Sequence, residues 1–268
     1  MDPELPKRSL RISADHFQRP GVARMWDYWL GGTDNFPLDR ATGDAIAEHY
    51  PRITEVALSS RRFLSRCVRH LAKAGVDQFL DIGAGLPTGE NTHEIAQSIA
   101  PSATVVYVDN DPMVLGRAKA RSSRHRPAGS VFHLGADARD ADLILGDARA
   151  VVDFRRPVAV LMLGVLGYTC PTFDDVRALL DQYLAALGPG SYLAYRDGVH
   201  LDGADPAAKE QAARFGYHLR SPEEFRSCFD GLQLVPPGVV PQHLWHPDPD
   251  QTDVPVLPDA WAGAGRVR

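Results

Sequence analysis

The stretch from Gln78 to Asn91 reads QFLDIGAGLPTGEN, and it decides the fold. A short apolar run ends in two glycines one residue apart, Gly83 and Gly85. A run of this kind is a buried strand, and glycines at its end permit a tight turn and close backbone approach to a ligand. Gly-x-Gly is also the mark of an ordinary strand–helix turn, so the residues around it carry the decision. Further apolar runs follow in TVVYVD (104–109), VFHLGAD (131–137), PVAVLMLGVL (157–166) and SYLAYRD (191–197). Between them lie helical segments such as EIAQSIA (94–100), MVLGRAKA (113–120) and DADLILG (140–146). The best-marked helix places Phe173, Val176, Leu180, Tyr183, Leu184 and Leu187 on one face and stops at Gly188-Pro189-Gly190. Strands that are apolar throughout and alternate with helices form a parallel sheet covered on both faces.

Upstream of the sheet the pattern is helical. RPGVARMWDYWL (19–30) stops at Gly31-Gly32, and a second short helix runs around Arg40–His49 until Pro51. Apolar residues then recur at helical spacing from Ile53 to Leu71, with Gly75 placed as a C-cap. The polar start, MDPELPKRSLRI, reads as a poorly ordered arm. The expected division is an arm and helical cap or lid over 1–75 and a ligand-binding α/β domain over 76–268. Late in the chain the sequence predicts a helix near Ser221–Cys228 and a strand pair, LQLV (232–235) and HLW (243–245). The Pro/Gly-rich end, 248–268, is expected to lie over the surface.

Composition narrows the function. The 268 residues are 44% hydrophobic and 24% charged, which excludes collagen-like, coiled-coil and wholly disordered chains. A net charge of −5 argues against a nucleic-acid-coating protein. The three cysteines form no Cys-x-x-Cys pair, and the ten histidines form no zinc motif, so no metal is expected. The basic run Arg117, Lys119, Arg121, Arg124 and Arg126 is explained by a helix C-terminus. Neither a secretory signal nor a membrane-spanning apolar run is visible, and the reading is a soluble, cytoplasmic monomer or homodimer acting on a small molecule.

Three carboxylates sharpen the site. Asp81 stands two residues before Gly83, where it suits an ammonium group and would repel a pyrophosphate. Asp109 ends the second strand, 24 residues past Gly85, placed to accept from both ribose hydroxyls. Asp137 follows the third strand and is placed to accept from an adenine amino group. Any one of them is equally a helix N-cap; together they favour S-adenosylmethionine over NAD. Thr88 also fills the place of the third glycine of the dinucleotide fingerprint. Ala84, Asn110, Ala138 and Leu163, beside these positions, complete the expected cofactor-binding set with Arg61.

The chain resembles the actinobacterial S-adenosylmethionine-dependent methyltransferase family long catalogued as a domain of unknown function. The resemblance is carried by RMWDYWLGGTDNFPLDR (24–40), RRFLSRCVRHL (61–71), QFLDIGAGLPTGENTHEIAQ (78–97), VVYVDNDPMVL (105–115), RPVAVLMLGVLGY (156–168), LGPGSYLAY (187–195), the long string 219–248 and WAGAGR (261–266). It implies a class I methyltransferase-like, Rossmann-like sheet of seven strands whose last strand is antiparallel. Arg61 matches the family's arginine, placed to bind the methionine carboxylate or to remain a surface cation. The aromatics Trp26, Tyr28 and Trp29 read either as core or as a lid over the sulfonium. The sequence departs from the family where histidines usually stand, having Gly167-Tyr168 and Arg196-Asp197 instead. The candidate catalytic residues are therefore Tyr168, Asp197, Arg196 and Tyr28, with Arg196 placed to bind an acidic acceptor or to neutralise Asp197. The expected reaction is methyl transfer to O or N of a small specialised metabolite, yielding S-adenosylhomocysteine. Two alternatives stay open: an internal cyclisation or lyase-type reaction releasing methylthioadenosine, and a non-catalytic adenosyl-binding protein.

Overall fold

Gly75, at a φ of +95°, takes the left-handed conformation that ends the long helix before the sheet. The N–H of Val76 then donates to the Leu71 carbonyl, and the chain enters its first strand. In this computed structural model the described residues are 5, 14–124, 129–248 and 256–268. Most of the polar arm, and Arg126 of the basic run, lie outside them.

Among the described residues a 3-10 turn (Ala14–Gln18) and three α-helices precede the sheet: α1 (Val22–Trp29), α2 (Pro37–His49) and α3 (Ile53–Lys73). The α/β alternation follows as β1 (Gln78–Ile82), α4 (Thr92–Ile99), β2 (Thr104–Asp109), α5 (Pro112–Arg124), β3 (Ser130–Gly135), α6 (Ala141–Ala148) and β4 (Ala159–Leu163). Next come α7 (Leu166–Thr169), α8 (Phe173–Ala185), β5 (Tyr192–Gly198), α9 (Pro206–Arg214) and α10 (Pro222–Ser227). The last strands are β6 (Gln233–Leu234), β7 (Val240–Pro241) and β8 (Ala260–Arg266). The strand order is β3-β2-β1-β4-β5-β8-β6, with β7 also on β8. The first five strands are parallel and β8 runs antiparallel to β5. Strand order reverses between β1 and β4, so a crevice opens at their carboxyl ends.

Alternation along the strands sorts the core into two layers. Phe79, Val105, Leu161 and Ala194 pack with Phe63, Cys67, Val68 and Leu71 of α3. Leu80, Val106, Val160 and Tyr195 face the other way, against α6, α8 and α10. Thus α3 belongs to the sheet's own helical layer. Helices α1 and α2 form the cap, with Met25 and Trp29 packed on Ala57 of α3. No helix among the described residues is long and apolar enough to cross a membrane.

Three expectations are corrected. The sheet has eight strands among the described residues rather than seven, because 233–241 pairs with β8 at both ends and is broken between by Pro236-Pro237, which offer no N–H to a ladder. The HLW segment forms a 3-10 turn, Gln242–Leu244. Arg66 donates to the carbonyls of Gln242 and Trp245, both at 2.8 Å, which withdraws them from strand pairing. Of the end expected over the surface, 249–255 lie outside the described residues, and AWAGAGR is instead β8, buried between β5 and β6. Its small residues fit because a Cβ at Gly263 would stand 3.0 Å from Phe229, and one at Gly265 2.9 Å from Leu232.

Candidate active site

The glycine turn at the end of β1 opens into a cavity of about 660 Å³ at the carboxyl ends of the strands. Gly83 and Gly85 have φ of +69° and +67°, in the left-handed region. A Cβ at Gly83 would stand 2.6 Å from Val165, whereas one at Gly85 would meet nothing within 4 Å. Gly83 is therefore required by the fold, and Gly85 presents bare backbone to open space. Beneath the turn Asp81 is buried and accepts from the Thr92 hydroxyl at 2.6 Å. Burial pushes its carboxyl up to about 6. Arg61, reaching from α3, donates to the carbonyls of Thr88 (2.6 Å) and Glu90 (2.7 Å) and so holds the loop after the glycines. Burial lowers its pKa and the charge of Asp81 acts against that. Thr88 lines the cavity with a buried hydroxyl that has no partner among the described residues.

Asp109 closes β2 on the neighbouring side. One oxygen accepts from the Gly85 N–H and the other from the Asp111 N–H, both at 2.9 Å. Each oxygen keeps a further lone pair. Burial pushes this carboxyl also up to about 6, against the two backbone donors that favour its charged form. Asp137 stands at the rim with Asn110 and Ala138. Arg139 binds it through Nε and Nη2 at 2.9 Å each, and Asn110 donates to it at 3.1 Å. The Arg139 hydrogen bond is the main cause that brings its pKa down to about 2. The structure thus brings together Asp81, Gly83, Ala84, Gly85, Asp109, Asn110, Asp137, Ala138, Arg61 and Leu163 around one cavity.

The cap closes that cavity from above. On α1, Trp26 faces inward, while Tyr28, two residues or roughly 200° further round the helix, does not line the cavity. Its hydroxyl donates to Asp44 of α2 at 2.7 Å. The aromatic that enters the site is therefore Trp26. The latch that holds the cap was not visible as such in the sequence. Arg24, 1% exposed, donates through Nε to Asp39 at 2.9 Å and through Nη1 to Asp111 at 3.1 Å. His16 joins it, 3.1 Å from Asp111. Asp27, whose carboxyl is raised by burial, accepts from Asp34 N–H and the Asn35 amide at 2.8 Å each and orders the loop after the double glycine. The signal for the latch was the spacing Asp109-x-Asp111: alternate residues leaving a strand end, one for the ligand side and one for the cap.

The ends of β4 and β5 divide the remaining candidates. Tyr168 lines the cavity with Trp26, and burial pushes its phenol up to about 12. Asp197 does not line it. It points to the opposite face of the sheet, where Gly167 N–H (2.8 Å), Gly198 N–H (3.1 Å) and the hydroxyls of Tyr217 and Tyr195 donate to it. With its lone pairs filled from within the fold, Asp197 is an anchor for the β4–α7 turn and not a base. Arg196 lies on the Trp26 side, without an ion pair to Asp197.

Two half-satisfied buried carboxylates, an exposed stretch of glycine backbone and the orphaned Thr88 hydroxyl fit an adenosyl ligand carrying an ammonium group. The profile of a family described as S-adenosyl methyltransferase matches residues 9–268. The chain is similar to a crystal structure of a candidate methyltransferase from Thermobifida fusca, at 43% identity over 94% of this chain and 96% of that one, with a TM-score of 0.84. It is similar to a DUF574 family protein from Streptomyces avermitilis at 35% identity, over 94% and 99% of the chains, with a TM-score of 0.85. The magnesium protoporphyrin IX methyltransferase of Synechocystis, solved with S-adenosylhomocysteine, shares the fold at 10% identity over 91% and 93%, with a TM-score of 0.54. A search of curated proteins finds no match.

Proposed function

We infer from the S-adenosyl methyltransferase family, to which this chain belongs, that the cavity is a methyl-transfer site acting on O or N of a small specialised metabolite. One observation carries the reading. One cavity is lined both by Asp81, the glycine turn and Asp109 and by the apolar and aromatic side chains of Trp26, Leu30, Leu64, Leu163, Val165 and Tyr168. The apolar part of that lining suits an organic acceptor.

S-adenosylmethionine is the family's cofactor and, when bound, supplies an electrophilic methyl carbon on a sulfonium. The chain's own work is then alignment and exclusion of water. Asp109, fixed by two backbone donors, offers its free lone pairs to the ribose hydroxyls. Asp81 and Arg61 address the amino-acid end, one for the ammonium and one for the carboxylate. The ring of Trp26 offers a π-face to the positive sulfur. Tyr168, with its phenol raised to about 12, keeps its proton near neutrality and orients the acceptor as a hydrogen-bonding group. Holding acceptor and methyl carbon in line is worth about 7–11 kcal/mol at best.

Calorimetry on the purified chain should show binding of S-adenosylmethionine and S-adenosylhomocysteine, with NAD weak or inert. Incubation with S-adenosylmethionine should then give S-adenosylhomocysteine only when a metabolite extract supplies an acceptor. Enzyme-dependent methylthioadenosine without extract would instead establish the internal reaction.

A further inference from the structure

Arg196 stands at the carboxyl end of β5 and is 1% exposed. It pairs with Ala262 of β8, so its side chain lies on the α3 face of the sheet while that of Asp197 lies on the other. A guanidinium stays charged at any physiological pH, and burying one is costly unless an anion answers it. Among the described residues no carboxylate stands at ion-pair distance from it. Asp197 is filled by its own four donors. Asp259 accepts from the Tyr50 hydroxyl at 2.8 Å, on whose pKa its charge and that of Arg196 act in opposite directions, and it accepts no hydrogen bond from Arg196. Arg196 itself donates through Nε to the neutral amide of Gln242 at 2.6 Å.

Its other edge is turned toward the cavity. The guanidinium carbon stands 5.3 Å from the centre of the Trp26 ring. A Cβ at Gly164 would stand 3.0 Å from Nη1 and 3.5 Å from the same indole. Gly164 and Trp26 both line the cavity beside Tyr168. Gly164, which has no side chain, and the Trp26 ring thus stand beside the guanidinium at the cavity wall. A fixed planar fork of N–H donors behind a single aromatic ring suits a planar oxyanion.

We propose that Arg196 is the acceptor-binding residue and that the acceptor carries a carboxylate, engaged by the guanidinium when Trp26 turns aside. The proposal rests on the methyl-transfer reading above and names its substrate class. It is tested by calorimetry on the full chain saturated with S-adenosylhomocysteine, using 4-hydroxyphenylacetate and its neutral amide as probes. The acid should bind at least tenfold tighter than the amide. Arg196→Gln should bring the acid down to the amide's level with the S-adenosylhomocysteine affinity unchanged, and Arg196→Lys should restore part of the preference. Trp26→Ala, which keeps the cation and removes the ring, should preserve the preference and speed association of the acid in stopped-flow. Equal binding of acid and amide, binding of neither, or a preference that survives in both Arg196 variants would overturn the proposal. S-adenosylhomocysteine binding, measured first, separates the two failures: its loss in the wild type overturns the methyl-transfer reading, and its presence without acid preference overturns only the assignment of Arg196.

Discussion

At the scale of single residues the site is governed by two carboxylates that burial has made unusually easy to protonate. Asp81 and Asp109 are both pushed up to about 6 from the ordinary 3.8, and the roles proposed for them, toward an ammonium and a ribose, require both ionised. Protons therefore compete with the ligand. S-adenosylhomocysteine affinity, measured by calorimetry at pH 7.5, 6 and 5, should fall steadily, and a flat profile would reject these roles. The stability of the ligand-free protein moves the opposite way. A folded-state pKa above the unfolded one means that these two groups oppose folding at neutral pH, and that this penalty is relieved as pH drops through 6 toward 4. Asp109→Ala removes two charge-assisted hydrogen bonds, each worth about 1.5–3 kcal/mol as an upper guide, so the dissociation constant should rise roughly a hundredfold or more. Much of this was legible in QFLDIGAG and VVYVDND, since strand-end carboxylates beside a glycine turn restrict the ligand by charge alone. Asp197 was not legible. Its position at a strand end is the same, but which face it takes depends on register, and Tyr217, which fills it, comes twenty residues later.

Among the elements, the cap is held to the sheet by one buried arginine shared between two carboxylates on different parts of the fold. Arg24→Met would leave Asp39 and Asp111 buried without their cation, and urea unfolding should show a loss of about 3–5 kcal/mol. The second tie, Arg117 to Asp34 at 2.6 Å, is on the surface with Arg117 55% exposed. Arg117→Ala should cost less than about 1 kcal/mol in the same assay. Equal effects of the two substitutions would remove the latch. The limits of α3 were plain in the sequence: it runs from Ile53 to Lys73 as its apolar spacing requires. The terminal strand was hidden because alternating alanine and glycine carry no β-branched signal. AWAGAGR is a strand because Phe229, Leu232 and the neighbouring strands leave room only for small side chains, a demand that comes from tertiary packing.

For the molecule as a whole, the two core layers on either side of the sheet have no buried member before Phe63 among the described residues, with the half-buried Leu5 packed against one of them. Deleting residues 1–36 should accordingly leave a folded, cooperative protein by circular dichroism while turnover collapses, because Trp26 and the cover over the cavity go with it. Turnover retained after that deletion would end the lid reading. The three cysteines are buried and unpaired, with burial pushing Cys67 and Cys228 up to about 12. None should react with a thiol reagent at pH 8 until denaturant is added. The placement of β8 has a last consequence, in time. It is hydrogen-bonded to β5 on one side and to β6 and β7 on the other, so those earlier strands stay unpaired on those edges until residues 260–266 arrive. During synthesis on the ribosome the first four strands can already assemble while β5 waits with an open edge for the segment still in the exit tunnel. That interval is when a nascent chain of this protein has most need of a chaperone.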